Sequence, residues 1–210
     1  MINTDIKLLL VLPILFLTIV LCNCTPDHSP EVKAYIDSIR IQRNETDIYM
    51  KENPGSPFNY KGKVEFHPLN YFDVDPKFKF ESKLFGYDSQ DTVTIYGTKG
   101  EARKTLRYGY VTWRYNDRDY KINVYRGISR GGEVYYSIWF TDKTTNNESY
   151  GVGRYINFEK SDNPDHIYTI DFNLAYNPYC AYSKEYSCAI PTKEDYLDLA
   201  IEAGEKKFHD

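Results

Sequence analysis

From Val64 onward the chain is written in short apolar runs separated by turn residues, and this rhythm limits the fold more than any other feature. Val93-Thr94-Ile95-Tyr96, Lys104 to Tyr115, Tyr120 to Tyr125 and Val134 to Thr141 are rich in the β-branched and aromatic residues that suit a pleated surface. Asn116-Asp117-Arg118-Asp119 and Gly131-Gly132 supply turns, and the segment from Lys104 to Tyr125 is the clearest hairpin. Weaker strand signals lie at Val64 to Pro68, at the alternating Phe78, Phe80 and Leu84, and at Ser149 to Glu159, Ile167 to Asn173 and Leu199 to Ala203. No strand-helix-strand alternation appears, which argues against a parallel sheet. The pattern predicts a mainly β chain: a single antiparallel β-barrel or sandwich of about 8–9 strands. The 21 tyrosines fit such a sheet, because each ring gives an apolar face with a polar tip.

One helix precedes the strands. Ser29 is placed to cap it, Pro30 sits at the first helical position, and Glu31 meets the positive end of the helix dipole. Val32, Tyr35, Ile36 and Ile39 recur at helical spacing, which predicts an amphipathic helix through Arg43 toward Met50, packed by its apolar face on the sheet. Asn53-Pro54-Gly55-Ser56-Pro57 ends it.

Ahead of the helix, Lys7 introduces an apolar run from Leu8 to Leu21, interrupted by Pro13 and Thr18. A run of this length behind a basic residue reads as an export signal rather than a membrane span, which needs about 20 apolar residues. The run ends in Leu21-Cys22-Asn23-Cys24, similar to a bacterial lipobox. The expected organisation is a lipoprotein signal peptide at residues 1–23, a tether at 24–28 and one globular β-rich domain at 29–210. Cys24 is the candidate lipidation site, and an uncleaved signal anchor is the alternative. The expected location is the bacterial cell envelope, with the membrane as a partner through the N-terminal lipid. The net charge is −4, unchanged by loss of the signal because Asp5 and Lys7 cancel. With no basic stripe, the chain does not read as a nucleic-acid binder.

Polar chemistry concentrates between Arg154 and Cys188. Arg154 follows Gly151-Val152-Gly153, a place where a strand bulges or another backbone approaches closely. Its fork suits a carboxylate or phosphate ligand, or a structural ion pair with Asp142, Glu148 or Asp171. Asp171 and Asn173 fall on one face of the expected strand at Ile167 to Asn173. With Tyr176, Asn177 and Tyr182 nearby, Arg154, Asp171 and Asn173 define a candidate polar pocket; the plainer reading is a buried network that pins the C-terminal loop. Cys180 and Cys188 share that loop and suit a disulfide in an exported protein. Free structural thiols, or a catalytic or metal role, are the alternatives. Zinc needs about four ligands, and the histidines show no ligand spacing, so neither a metal nor a cofactor is called for. There is no Gly-x-Ser-x-Gly, phosphate loop, dinucleotide fingerprint or His-Glu-x-x-His.

Gly151-Val152-Gly153-Arg154-Tyr155, Asp171-Phe172-Asn173-x-Ala175-Tyr176-Asn177-Pro178-x-Cys180-Ala181-Tyr182-Ser183, Ser187-Cys188 and Ala203-Gly204-Glu205-Lys206, in this order, resemble the domain-of-unknown-function family 1684 of bacteria and archaea. Asn53 to Phe58 resembles that family's entry to its first strand, so the likeness extends from Ser29 onward. After the second cysteine, Ala189-Ile190-Pro191-Thr192 keeps one proline where the family has a proline-rich turn. The resemblance implies a shared fold and no activity. Two functional readings therefore stand: a lipid-anchored β-domain that binds a small ligand or an envelope protein, or a hydrolase or transferase built on Arg154, Asp171 and Asn173 with possible help from Cys180.

Overall fold

The computed structural model describes residues 28–60, 64–129 and 131–209. The signal segment, Cys24 and all of the tether except His28 lie outside the described residues. The helix α1 spans Pro30–Glu52, with the Ser29 hydroxyl accepting from the Val32 amide at 3.4 Å and Asn53 closing its C-terminus. Nine strands follow among the described residues: β1 Lys79–Ser82, β2 Phe85–Gly86, β3 Thr92–Tyr96, β4 Ala102–Tyr115, β5 Arg118–Ile128, β6 Val134–Asp142, β7 Arg154–Asn157, β8 Tyr168–Asp171 and β9 Tyr196–Leu197.

The main sheet runs β2-β4-β5-β6-β7, with β3 also on β4 and β9 added parallel to β6. β1 and β8 form a separate antiparallel ribbon. The chain is thus mainly β with antiparallel sheets and one helix. The order does not return from β7 to β2, so no closed barrel forms among the described residues. The β4–β5 hairpin turns on two residues, not four: Asn116 (φ 47°) and Asp117 (φ 59°) both take the left-handed conformation that a tight two-residue hairpin requires, and Arg118 already pairs with Tyr115.

Strand β5 is buried on both faces. Ile122 and Val124 join Val111, Trp113, Ile138 and Phe140 in the main core, closed by Ile170 and Phe172 of the β8 region. On the other face the Tyr125 ring stacks on Trp139 at 4.6 Å. There the Asp195 carboxylate accepts from Asn123 Nδ2, Tyr125 Oη, Thr192 N and Thr192 Oγ1, at 2.7–2.9 Å. Four donors on one buried carboxylate fasten the 192–195 turn over the sheet.

The helix docks through polar contacts as much as apolar ones. Ile36, Ile39 and Met50 are buried, but Arg43 and Asp47 share their side of the helix. Arg43 donates to the Phe72 and Asn173 carbonyls at 2.8 and 3.2 Å, and Asp47 accepts from the Leu69 amide at 3.0 Å. These bonds satisfy backbone groups of irregular segments that have no sheet partner. Three sequence expectations change accordingly. Val64 to Pro68 is not a strand; Leu199 to Ala203 is extended coil; and Asn173 belongs to a single 3₁₀ turn after β8.

Candidate functional site

Arg154 opens β7 and is fully buried. Its guanidinium meets Asp142 Oδ2 at 3.2 Å and Thr144 Oγ1 at 3.3 Å, and donates to the carbonyls of Ile201 (2.8 Å), Glu205 (3.3 Å) and Ala203. It lies between the Phe72 and Phe140 rings. Asp142 in turn accepts from the Ile201 amide at 2.7 Å and from the hydroxyls of Thr144 and Thr145 at 2.9 Å. The coil from residue 199 to 205 therefore gains from one arginine and one aspartate the partners of the Ile201 amide and of the Ile201, Ala203 and Glu205 carbonyls, while Lys143, Phe72 and Ala175 pair its backbone at Leu199, Gly204 and Glu205. Two glycines permit the close approach. Gly153 (φ 108°) would place a Cβ 2.5 Å from the Phe140 oxygen, and Gly204 (φ 76°) would place one 2.6 Å from the oxygens of Phe172 and Ala175.

Asp171 belongs to a different network. It accepts from Tyr35 Oη of α1 at 2.8 Å and, as the cap of the following turn, from the Asn173 amide at 2.9 Å. Asn173 also exchanges bonds with the Asp75 backbone at 2.8 and 2.9 Å. The structure thus brings Asp171 and Asn173 together but not Arg154, whose ionic partner is Asp142. The pocket expected from all three does not form. Alternation along a strand suggested a common face; a capping turn is what joins the two.

A third cluster surrounds Glu205. This buried carboxylate accepts from Tyr182 Oη at 2.5 Å and from the Asn177 amide at 2.9 Å, while Asn177 Nδ2 donates to the Lys206 carbonyl at 2.7 Å. Burial pushes Glu205 up to about 7, against the opposing pull of these hydrogen bonds and of Arg154. The sequence offered Glu205 only as part of a family-like motif, and Asp142 only as one of three possible partners for Arg154. Each is an isolated acid amid mixed residues, and only the fold shows that it has no water.

Cys180 and Cys188 are free thiols in contact, both half-buried. The expected disulfide is not present as a bond; the Cys180 amide donates to Cys188 Sγ at 3.2 Å.

The principal concavity lies elsewhere. A groove of about 1280 Å³ is bounded by α1, by β6 and β7, and by the segments around residues 173–179 and 186–189. Tyr135, Trp139, Tyr155, Tyr176, Tyr179 and Tyr186 supply much of its wall. Tyr176 exchanges two backbone bonds with Tyr155, at 2.9 and 3.0 Å, and its hydroxyl donates to Asn157 Oδ1 at 2.7 Å. Of the expected site residues, Asn173, Tyr176 and Cys188 border the groove, whereas Arg154, Asp171, Asn177, Cys180 and Tyr182 do not. Two buried donors on the wall, Tyr186 Oη and Arg43 Nε, have no hydrogen-bond partner. Among the described residues no group of three or more His, Cys, Asp or Glu is placed to hold a metal ion.

An antiparallel sheet with one docked helix and a C-terminal coil locked by buried charges defines a β-rich domain whose buried polar clusters tie its irregular segments together. The chain belongs to the family described as "Protein of unknown function (DUF1684)", whose model matches residues 64–206. It is similar to the solution NMR structure of an uncharacterized protein from gene locus rrnAC0354 of Haloarcula marismortui, with 27% sequence identity and a TM-score of 0.61 over 84% of this chain and 96% of that one. A comparison with curated proteins finds no match.

The buried Glu205 makes stability depend on pH. Its folded-state pKa of about 7 lies above the ordinary carboxyl value of 4.5, so the folded state holds the proton more tightly. The contribution is fully present below the unfolded pKa and is lost as pH rises through about 7. The lost stability amounts to roughly 3 kcal/mol at 1.36 kcal/mol per unit. Urea denaturation across this range should show wild type losing stability relative to Glu205→Gln; parallel profiles would contradict the assignment.

Proposed function

We propose that this chain is a lipid-anchored cell-envelope domain that binds a small ligand in the tyrosine-lined groove. The observation that carries the reading is the pair of unpartnered donors, Tyr186 Oη and Arg43 Nε, on the wall of a large concavity. Buried polar groups are nearly always paired, and two of the six unpartnered side-chain atoms among the described residues fall together on this groove, where a ligand can reach them. The rings around them offer apolar area with hydroxyl tips, which suits a ligand that is planar or hydroxylated rather than an alkyl chain.

The hydrolase or transferase alternative has less support. It needs Arg154, Asp171 and Asn173 to converge on one open pocket, and Arg154 is committed to Asp142 and three carbonyls while Asp171 and Asn173 are committed to Tyr35 and Asp75. The anchor rests on Cys24, with Leu21 three residues before it at the end of an apolar run. One lipid chain holds a protein only marginally, whereas two or three anchor it firmly at about 0.8 kcal/mol per buried methylene.

Two experiments test the proposal. Ligand-observed NMR with a library of small aromatic and polyhydroxylated compounds should give hits that perturb Trp139 fluorescence. Tyr186→Phe should weaken them about five- to ten-fold, the worth of one hydrogen bond, with an unchanged melting temperature. Hits indifferent to Tyr186, or none, would count against the groove. Metabolic labelling with a fatty-acid probe should mark wild type but not Cys24→Ser; equal label in both would remove the anchor.

A further inference from the structure

The loop that carries Cys180 and Cys188 is held from three sides. Cys180 lies in the single 3₁₀ turn Tyr179–Ala181. Cys188 is clamped to the turn between β3 and β4: its amide donates to Thr98 Oγ1 at 3.2 Å, and its carbonyl accepts from the Thr98 amide at 3.0 Å. Lys99, Glu101 and Arg103 of the same region hold residues 185 and 187 alongside. Tyr150 Oη reaches the Cys180 carbonyl at 3.3 Å and Cys180 Sγ at 3.7 Å. The two cysteines are therefore held against each other, the Cys180 amide donating to Cys188 Sγ at 3.2 Å, and both stay partly open to solvent.

Their surroundings are unequal. Cys180 Sγ receives the Tyr150 hydroxyl at 3.7 Å, and Cys188 Sγ receives the Cys180 amide at 3.2 Å. The contact with Cys180, together with burial, pushes the Cys188 thiol up. The contact with Cys188 is the largest influence, and it brings Cys180 down to about 7. The neighbouring hydroxyls of Tyr150, Tyr155, Tyr176 and Tyr186 are all raised, mainly by burial, and do not titrate in this range. Both thiols stay partly open to solvent while held against each other, an access that a static structural bridge does not need and that exchange chemistry requires.

We propose that Cys180 and Cys188 are a thiol–disulfide exchange pair, with Cys180 the attacking sulfur and Cys188 the resolving sulfur, acting on a low-molecular-weight disulfide. The Cys180 thiolate attacks one sulfur of the disulfide, that S–S bond breaks, and the first thiolate leaves and takes up a proton. Cys188 then loses its proton and attacks Cys180 Sγ, breaking the mixed disulfide and releasing the second thiolate. Two protein thiols give up two electrons and two protons, and one small disulfide becomes two thiols. The optimum attacking thiol has a pKa near ambient pH, because lower values sacrifice nucleophilicity. This proposal does not depend on what the groove binds.

The test uses the reduced full chain. Alkylation by iodoacetamide, followed at each cysteine by peptide mass spectrometry across pH, should give a midpoint near 7 for Cys180. At pH 7 it should also run about ten-fold or more faster at Cys180 than at Cys188, in keeping with the difference in thiolate fraction. Oxidised glutathione should convert wild type to the intramolecular disulfide, stop Cys188→Ser at a Cys180–glutathione mixed disulfide, and leave Cys180→Ser without either product. Equal alkylation rates with an ordinary thiol midpoint of about 8.5 would overturn the assignment. A bridge that excess reduced glutathione fails to open would do the same, by marking a structural disulfide. The alkylation profile is read on wild type alone, so it decides even where a variant fails to fold.

Discussion

The architecture depends on one buried ion pair. Residues 199–205 run as coil through the interior, where every amide and carbonyl needs a partner. Arg154 donates to the carbonyls of Ile201, Ala203 and Glu205, and Asp142 accepts the Ile201 amide. Neither residue could do this unaided: an isolated buried charge is prohibitive, and the pair is tolerable only because nearly every remaining donor and acceptor is used. Gly153 and Gly204 follow from the same requirement, since a side chain at either position would strike the backbone it approaches.

Once this segment is locked, the rest of the polar interior falls into place around it. Glu205 gathers Tyr182 and Asn177. Asp171 and Asn173 tie α1 to β8 through Tyr35. Asp195 holds the other face of β5. These clusters resemble an active site in composition, yet each is largely closed upon itself. The groove and the cysteine pair differ in being open to solvent: unpartnered donors line the one, and both thiols of the other are only half-buried.

The strand rhythm, the capped helix and the β4–β5 hairpin were legible because local chemistry decides them. Ser29-Pro30-Glu31 can do little but start a helix, and Asn116-Asp117 takes a conformation that few other residues tolerate. Residues 199–203 were misread as a strand because their apolar pattern is that of buried extended chain, and the pattern cannot tell a strand bonded to a neighbour from coil bonded to side chains. Asp142 was legible only as one of three possible partners for Arg154. The groove was invisible, because its tyrosines come from segments far apart in the chain and follow no spacing.

A double-mutant cycle on Arg154 and Asp142, measured by urea denaturation, tests this account most directly. The account requires Arg154→Met and Asp142→Leu each to cost roughly 3–5 kcal/mol, because each leaves a buried charge without its partner. The double variant should cost clearly less than the sum of the two singles, because it leaves no unpaired charge even though the coil's backbone partners are gone, giving a large coupling energy. Two singles near wild type, or costs that simply add, would contradict the claim that this pair holds the C-terminal segment in the core.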